Sequence, residues 1–345
     1  MSNGKESTPS LFEWQRDAAA SALAARARWP HALLLEGRRG IGKRALALHF
    51  AQALLCEAPR PDGGPCGQCA SCGYARAGTH PDLRLIEPIE RDEEGNETPL
   101  DEIVVDRIRE LIDFTQLSTH RQRAKVAIII PAELMNPAAA NALLKTLEEP
   151  PASTYLILVS HQPGRLRATI VSRCQRLAAP EPGPAIAAAW LAKQGATSPE
   201  LLLAQAGGAP LLALALADPA VQRERQSLLD QLSKPERLSP IALGGRIDGY
   251  RKDERKAVLA DVVYWLTTWS ADLAATASGG VSRFHPDKQE ALLRLARQVA
   301  LPPLFRYYRT LLRQRELLGH PLVPRLVAEA LLFEYRGLFT GADGG

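Results

Sequence analysis

Residues 11–29 (LFEWQRDAAASALAARARW) repeat apolar positions at helical spacing until Pro30 interrupts them, so a first helix is predicted there. A short apolar run at 31–36 (HALLLE) ends in a glycine-rich turn, and the Ala/Leu-rich stretch 44–56 that follows has the length of a helix. The order is strand, glycine loop, helix. Further on, DLRLIEP (82–88) predicts a strand, 90–98 (ERDEEGNET) an acidic loop, and 101–117 an amphipathic helix. Residues 126–130 (VAIII) form a buried-type strand, 137–149 a helix stopped by Pro150 and Pro151, and 155–160 (YLILVS) another strand. Strands alternating with helices predict an α/β domain on a parallel, doubly wound sheet.

Beyond Cys174 the strand signal stops, and PEPGP at 180–184 separates the sheet region from an all-helical remainder. Helical patterns at 184–194, 198–206 and 209–217 predict a three-helix unit, and longer helices fill 219–339. The expected organisation is therefore a sheet domain over 1–179, a small helical domain over 180–218 and an all-α domain over 219–345. GADGG at the end reads as a frayed tail.

Composition narrows the classes. A length of 345 residues fits two or three domains, and 46% hydrophobic with 23% charged residues excludes a disordered chain. Forty-two Lys and Arg against 38 Asp and Glu leave a net charge of +4, which does not by itself announce nucleic acid. No apolar run approaches the roughly 18 residues of a membrane helix, and MSNGKESTPS lacks the apolar stretch of a signal peptide. A cytoplasmic protein without a membrane partner is expected.

Three segments carry chemistry. Gly37-Arg38-Arg39-Gly40-Ile41-Gly42-Lys43 fits G-x-x-x-x-G-K between a predicted strand and helix, where backbone N–H groups and the helix N-terminus cradle phosphates and the lysine reaches them. The next residue is Arg44, so the hydroxyl that would ligate Mg²⁺ is absent. A P-loop ATPase also needs carboxylates at the end of a neighbouring strand, but that strand ends in Ile130 and Pro131, and Glu133 reads as a helix-start or surface residue. Gly37, Gly40, Gly42 and Lys43 are thus a degenerate phosphate loop, either a weak ATP site or architecture alone. Cys56, Cys66, Cys69 and Cys72 follow C-x9-C-x2-C-x2-C within 17 residues, in a Gly/Pro-rich loop that lets four thiolates converge on a structural Zn²⁺. Reduced free thiols or another soft metal are the alternatives. Ser172-Arg173-Cys174 follows the last apolar strand by a turn.

Together, WPHALLLEG (29–37), the cysteine module, NALLKTLEEPP (141–151) and SRC (172–174) resemble bacterial clamp loaders of the AAA+ class, over roughly residues 11–217. The resemblance implies a RecA-like P-loop domain with a zinc module at 56–72, a helical lid and a C-terminal collar. It implies a place in a hetero-pentamer with gamma/tau motor subunits and a delta subunit, which opens the sliding clamp and closes it on primer-template DNA as part of the DNA polymerase III holoenzyme. Arg173 matches the family's arginine finger, which reaches the ATP of an adjacent motor subunit; a guanidinium suits that role because it is always charged and binds phosphate bidentately. Motor subunits have Asp-Glu where Ile130 and Pro131 stand, and a nucleotide-sensing Arg where Leu211 stands. Arg44, Ile130, Pro131 and Leu211 depart in one direction, toward a non-catalytic stator rather than a Mg-ATPase motor. A third possibility, a zinc-stabilised DNA-binding protein, lacks a concentrated basic stripe.

Other features are read as structural. His31 and His161 are expected at strand ends, Trp265, Trp269, Tyr307 and Tyr308 in a helical core, and Arg306, Arg309, Arg313 and Arg315 on a solvated helix face.

Overall fold

The computed structural model describes residues 11–91, 97–121, 123–319 and 322–340; most of the predicted acidic loop and the tail lie outside these. The chain divides into two compact units at 186/187.

The first unit begins with helix α1 (Arg16–Ala24), flanked by single 3-10 turns at Glu13–Gln15 and Arg26–Arg28 instead of the one long helix predicted. Tertiary bonds break it. The Gln15 side chain is drawn onto the carbonyl of Ile41, Arg26 donates to that of Leu54, and Trp29 packs edge-on against Phe50. Strand β1 (Ala32–Glu36) leads through the glycine loop into α2 (Lys43–Leu55). Helix α3 (Ala70–Arg76), which sequence periodicity missed because ASCGYAR repeats no large apolar side chain, sits within the cysteine segment. Then come β2 (Leu83–Ile86), a small antiparallel pair of β3 (Ile89–Arg91) and β4 (Glu97–Pro99) where a loop was expected, α4 (Val105–Gln116), β5 (Lys125–Ile129), α5 (Pro137–Glu148), β6 (Thr154–Ser160), the single-turn α6 (Ala168–Val171) and β7 (Gln175–Ala178).

The main sheet is parallel, in the order β2-β5-β6-β1-β7. Its central strands are buried on both faces, which is why their sequences are unbroken apolar runs. Strand β7 corrects the expectation that strands end before Cys174. Its residues QRLA show no apolar alternation because it is an exposed edge, held by backbone pairing to β1 and by the Arg176–Glu36 ion pair at 3.0 Å.

Helix α7 (Pro184–Lys193) spans the division between the units. In the second unit, α8 (Pro199–Gln205) and α9 (Pro210–Leu216) pack with α7 residues Ala187 and Leu191 in a small core. A larger core is built by α10 (Pro219–Leu232), α11 (Pro240–Ile247), α12 (Arg255–Ala277), α13 (Gln289–Ala296), α14 (Leu301–Leu317) and α15 (Pro324–Thr340). Trp269 is fully buried and donates to the Tyr335 hydroxyl at 2.8 Å, which donates to the carbonyl of Leu232 at 2.9 Å. Trp265 and Tyr307 are buried as expected, whereas Tyr308 is half-buried; Arg306, Arg309, Arg313 and Arg315 are exposed. No single helix among the described residues is long and apolar enough to cross a membrane.

A buried polar knot ties this core. Arg225 donates to both carboxylate oxygens of Asp287 and, at 2.8 Å, to His285 Nδ1, while His285 Nε2 lies 3.1 Å from Thr268 Oγ1. The Asp272 carboxylate accepts the backbone N–H groups of Arg283, Phe284 and His285. Burial and the Arg225 charge push the imidazole of His285 down to about 3, so it stays neutral in the fold and protonates only when unfolded. Since the folded value is depressed, this contribution is complete above the ordinary pKa near 6.5 and is lost as the pH falls below it, by about 1.4 kcal/mol per unit. Urea titrations at pH 7, 6 and 5 should show the stability difference between wild type and His285→Asn narrowing as the pH falls; a constant difference would refute it.

Candidate functional site

The phosphate-type loop sits at the C-terminal end of β1, the end at which parallel α/β sheets bind ligands. Gly40 and Gly42 have φ of +86° and +92°, and a side chain on Gly42 would meet the Phe12 ring at 2.6 Å, so the tight path needs glycine. The loop lysine is turned back onto the loop. Lys43 is 3% exposed, and its Nζ donates to the carbonyls of Gly37 (2.5 Å) and Arg38 (2.6 Å); burial lowers its pKa to about 8, with Glu133 and Glu181 opposing. Arg44, standing where a metal-binding hydroxyl would, donates to Glu87 at 2.9 and 3.3 Å. Trp14 and Gln15 both donate to the Ile41 carbonyl, at 3.0 and 3.2 Å, and Arg38 forks onto Glu181 at 2.9 and 2.7 Å.

The end of β5, which β6 separates from β1, carries no acid at position 130 or 131. Ile130 is buried, and Pro131 joins it through a cis bond. Glu133 lies in a 3-10 turn (Ala132–Leu134), but it is half-buried and not a free surface group: Oε1 accepts the backbone N–H groups of His161 (2.9 Å) and Gln162 (3.1 Å), tying the ends of β5 and β6 together. Oε1 is thus engaged by the backbone, whereas Oε2 is buried without a hydrogen-bond partner among the described residues. His161 follows β6, and burial with the charges of Lys43 and Arg39 pushes its imidazole to about 3. His31 precedes β1, with Nε2 2.9 Å from the Leu147 carbonyl. In the second unit, Leu211 is half-buried near the start of α9 and offers no cation.

Four sulfurs converge at the other end of α2 from the phosphate loop. Cys56 caps the end of α2, Cys69 caps the start of α3, and the Sγ atoms of Cys56, Cys66, Cys69 and Cys72 all lie within 4.8 Å of one another, two pairs at 3.9 Å. Four thiolates bound tetrahedrally at the usual ~2.3 Å would stand about 3.8 Å apart, so the residues fit a metal ion. Backbone N–H groups point at the sulfurs, from Cys66 to Cys56 at 3.3 Å, from Gln68 and Cys69 to Cys66 at 3.4 and 3.3 Å, and from Cys72 to Cys69 at 3.4 Å. Those donors bring the Cys66 thiol down to about 6, toward the thiolate a metal needs, while burial pushes Cys56 and Cys72 up. Cys174 lies apart, half-buried, its thiol raised to about 11 by burial.

Arg173 follows α6 in the turn before β7, its side chain 32% exposed. Its Nε donates to Glu148 Oε1 at 2.7 Å, Nη2 donates to the same oxygen, and Nη1 donates to the Thr169 carbonyl at 2.9 Å. Nearby, Arg167 donates to Asn141 at 3.1 Å. The segments NALLKTLEEPP and SRC, separate in sequence, are thus stitched together, and the partnership of Glu148 is what the sequence missed.

The family model "DNA polymerase III, delta subunit" matches residues 18–182. A protein from Pseudomonas aeruginosa, "DNA polymerase III subunit delta'", is 45% identical over 65% of this chain and 66% of its own length. A protein of the same name from Yersinia pestis is 35% identical over 91% of this chain and 92% of its own. The chain belongs to the DNA polymerase III delta-prime family. The likeness to the delta-prime protein of Pseudomonas aeruginosa spans just under two thirds of that protein, whereas the Yersinia pestis alignment is nearly end to end. A "DNA polymerase III subunit tau" from Bacillus subtilis is 38% identical over 43% of the chain and 24% of its own length. With its P-loop between β1 and α2 and its five-stranded parallel sheet, the first unit has the AAA+ architecture, followed by helices.

Proposed function

We propose that this delta-prime family chain is the non-catalytic stator of the DNA polymerase III clamp loader. In this reading it joins gamma/tau motor subunits and a delta subunit in a cytoplasmic hetero-pentamer that loads the sliding clamp onto primed DNA. DNA-directed DNA polymerase activity, a nucleotidyl transfer, belongs to the holoenzyme and not to this chain. The observation that carries the reading is the missing metal chemistry beside the phosphate loop: Arg44, standing where a metal-binding hydroxyl would, is paired to Glu87, and Ile130 and Pro131 offer no carboxylate. A metal-assisted attack by water needs ligands that these side chains cannot supply.

Arg173 is the group this chain offers to chemistry elsewhere, as an arginine finger for a neighbour's ATP. Residues 1–179 act as the AAA+ domain, 180–218 as a lid and 219–345 as a collar. Cys56, Cys66, Cys69 and Cys72 hold one structural zinc; when bound, the ion cross-links the end of α2 to the start of α3.

The isolated chain is expected to hydrolyse no ATP above background, and any nucleotide it binds should bind weakly and respond little to Mg²⁺. A steady turnover abolished by Lys43→Ala would overturn the stator assignment in favour of a motor subunit.

A further inference from the structure

We infer that Glu148 is a positioning residue for Arg173, a brace in the same chain that holds the guanidinium ready for a nucleotide bound by a neighbouring subunit. The inference rests on the finger reading above and adds the residue through which the finger is aimed.

The donor count supports it. A guanidinium has five N–H groups. Glu148 Oε1 takes the Nε–H and one N–H of Nη2; the Thr169 carbonyl takes one N–H of Nη1, and Ser172 Oγ stands 3.4 Å from that same nitrogen. The second N–H of Nη2 has no acceptor among the described residues. The edge toward Glu148 is therefore saturated while the terminal end keeps donor capacity for a phosphate oxygen.

The supports are rigid at both ends. Glu148 is the last residue of α5, a helix capped at its start by the Asn136 side chain and seated against the sheet through Leu143 and Leu147. Thr169 lies in α6, anchored by the buried Ile170. A free arginine would lose rotamer freedom on engaging a phosphate. An arginine already fixed at Nε and Nη1 has lost most of it beforehand, which is how a positioning residue speeds a step it does not touch. Both oxygens of Glu148 are not consumed either: Oε1 alone bridges the two nitrogens. The pair therefore withdraws one edge of the guanidinium and leaves the other.

The test uses the reconstituted loader with clamp and primed DNA, the ATP site adjoining this subunit kept active and the other motor sites silenced. Glu148→Ala should lower kcat for ATP at that site about tenfold, with KM within about twofold, because hydrogen bonds to a charged group are lost while nucleotide binding is untouched. Glu148→Gln, which keeps an acceptor oxygen, should recover most of the rate. Adding Glu148→Ala to Arg173→Ala should cost nothing further. Should the alanine variant fail to assemble, the glutamine variant and the Arg173→Ala background carry the comparison.

If Arg173→Ala slows the site but Glu148→Ala runs at the wild-type rate or faster, the brace is rejected and the finger reading survives. A Glu148→Ala loss that persists without Arg173 also rejects it, as an effect on the fold. If Arg173→Ala itself leaves the rate unchanged, the finger reading falls first, and the brace with it.

Discussion

Replacing Arg173 with alanine is expected to leave this chain folded and able to assemble, and to slow ATP hydrolysis at the neighbouring site by roughly 10³–10⁵, the worth of an arginine finger supplied in trans. The contrast follows from where the residue spends its interactions. Its pair with Glu148 is half-exposed, at 32% and 48% for the two side chains, and such pairs contribute at most about 1 kcal/mol to stability. A transition state that gathers charge on phosphate oxygens gains far more from a fixed guanidinium. A loader with several ATP sites keeps turnover at the others, so total hydrolysis should fall only in part, while clamp loading falls more. Arg173→Lys should rescue poorly, since an ammonium lacks both the fork and the Nε that meets Glu148. Rates and clamp loading of both variants at wild-type levels in a correctly assembled complex would leave Arg173 as a surface residue.

The second large effect concerns the cysteines. One zinc per chain is expected in purified protein, and Cys66→Ser/Cys69→Ser should release it. In small modules a structural zinc supplies on the order of 10 kcal/mol. Here the loss should concentrate on the segment the ion closes, the loop after Cys56 and helix α3, because Cys69 is that helix's cap and its sulfur accepts the N–H of Cys72. The sheet, with its own core of Leu34, Ala127, Ile129 and Leu158, should survive. Elemental analysis alongside limited proteolysis would show metal lost and cleavage opening within 57–78. A wild-type chain that is metal-free yet resists cleavage there would end the proposal.

Not every side chain that looked chemical in the sequence is free to act. Glu133, the nearest carboxylate in sequence to Ile130 and Pro131, gives its Oε1 to the N–H groups of His161 and Gln162. Lys43 is turned onto its own loop, and Arg44 meets Glu87. Each was visible as a residue and none as a contact.

What the sequence determined by itself was whatever depends on local pattern. Strands β1, β5 and β6 are buried on both faces, so their continuous apolar runs announced them, and Gly40 and Gly42 stand where the backbone takes φ near +90°. Close spacing likewise sufficed to gather Cys66, Cys69 and Cys72, since three residues apart in a turn lie near one another in almost any fold. Tertiary structure decided the rest. Strand β7 exists because β1 offers it a parallel partner, not because QRLA favours a strand; the first helix is broken by bonds to Ile41 and Leu54. The pairings Arg173–Glu148 and Arg44–Glu87 bridge 25 and 43 residues of chain. Periodicity reports which face of an element is buried, but which charge meets which is set by the path of the backbone between them, and that path exists only once the sheet has formed.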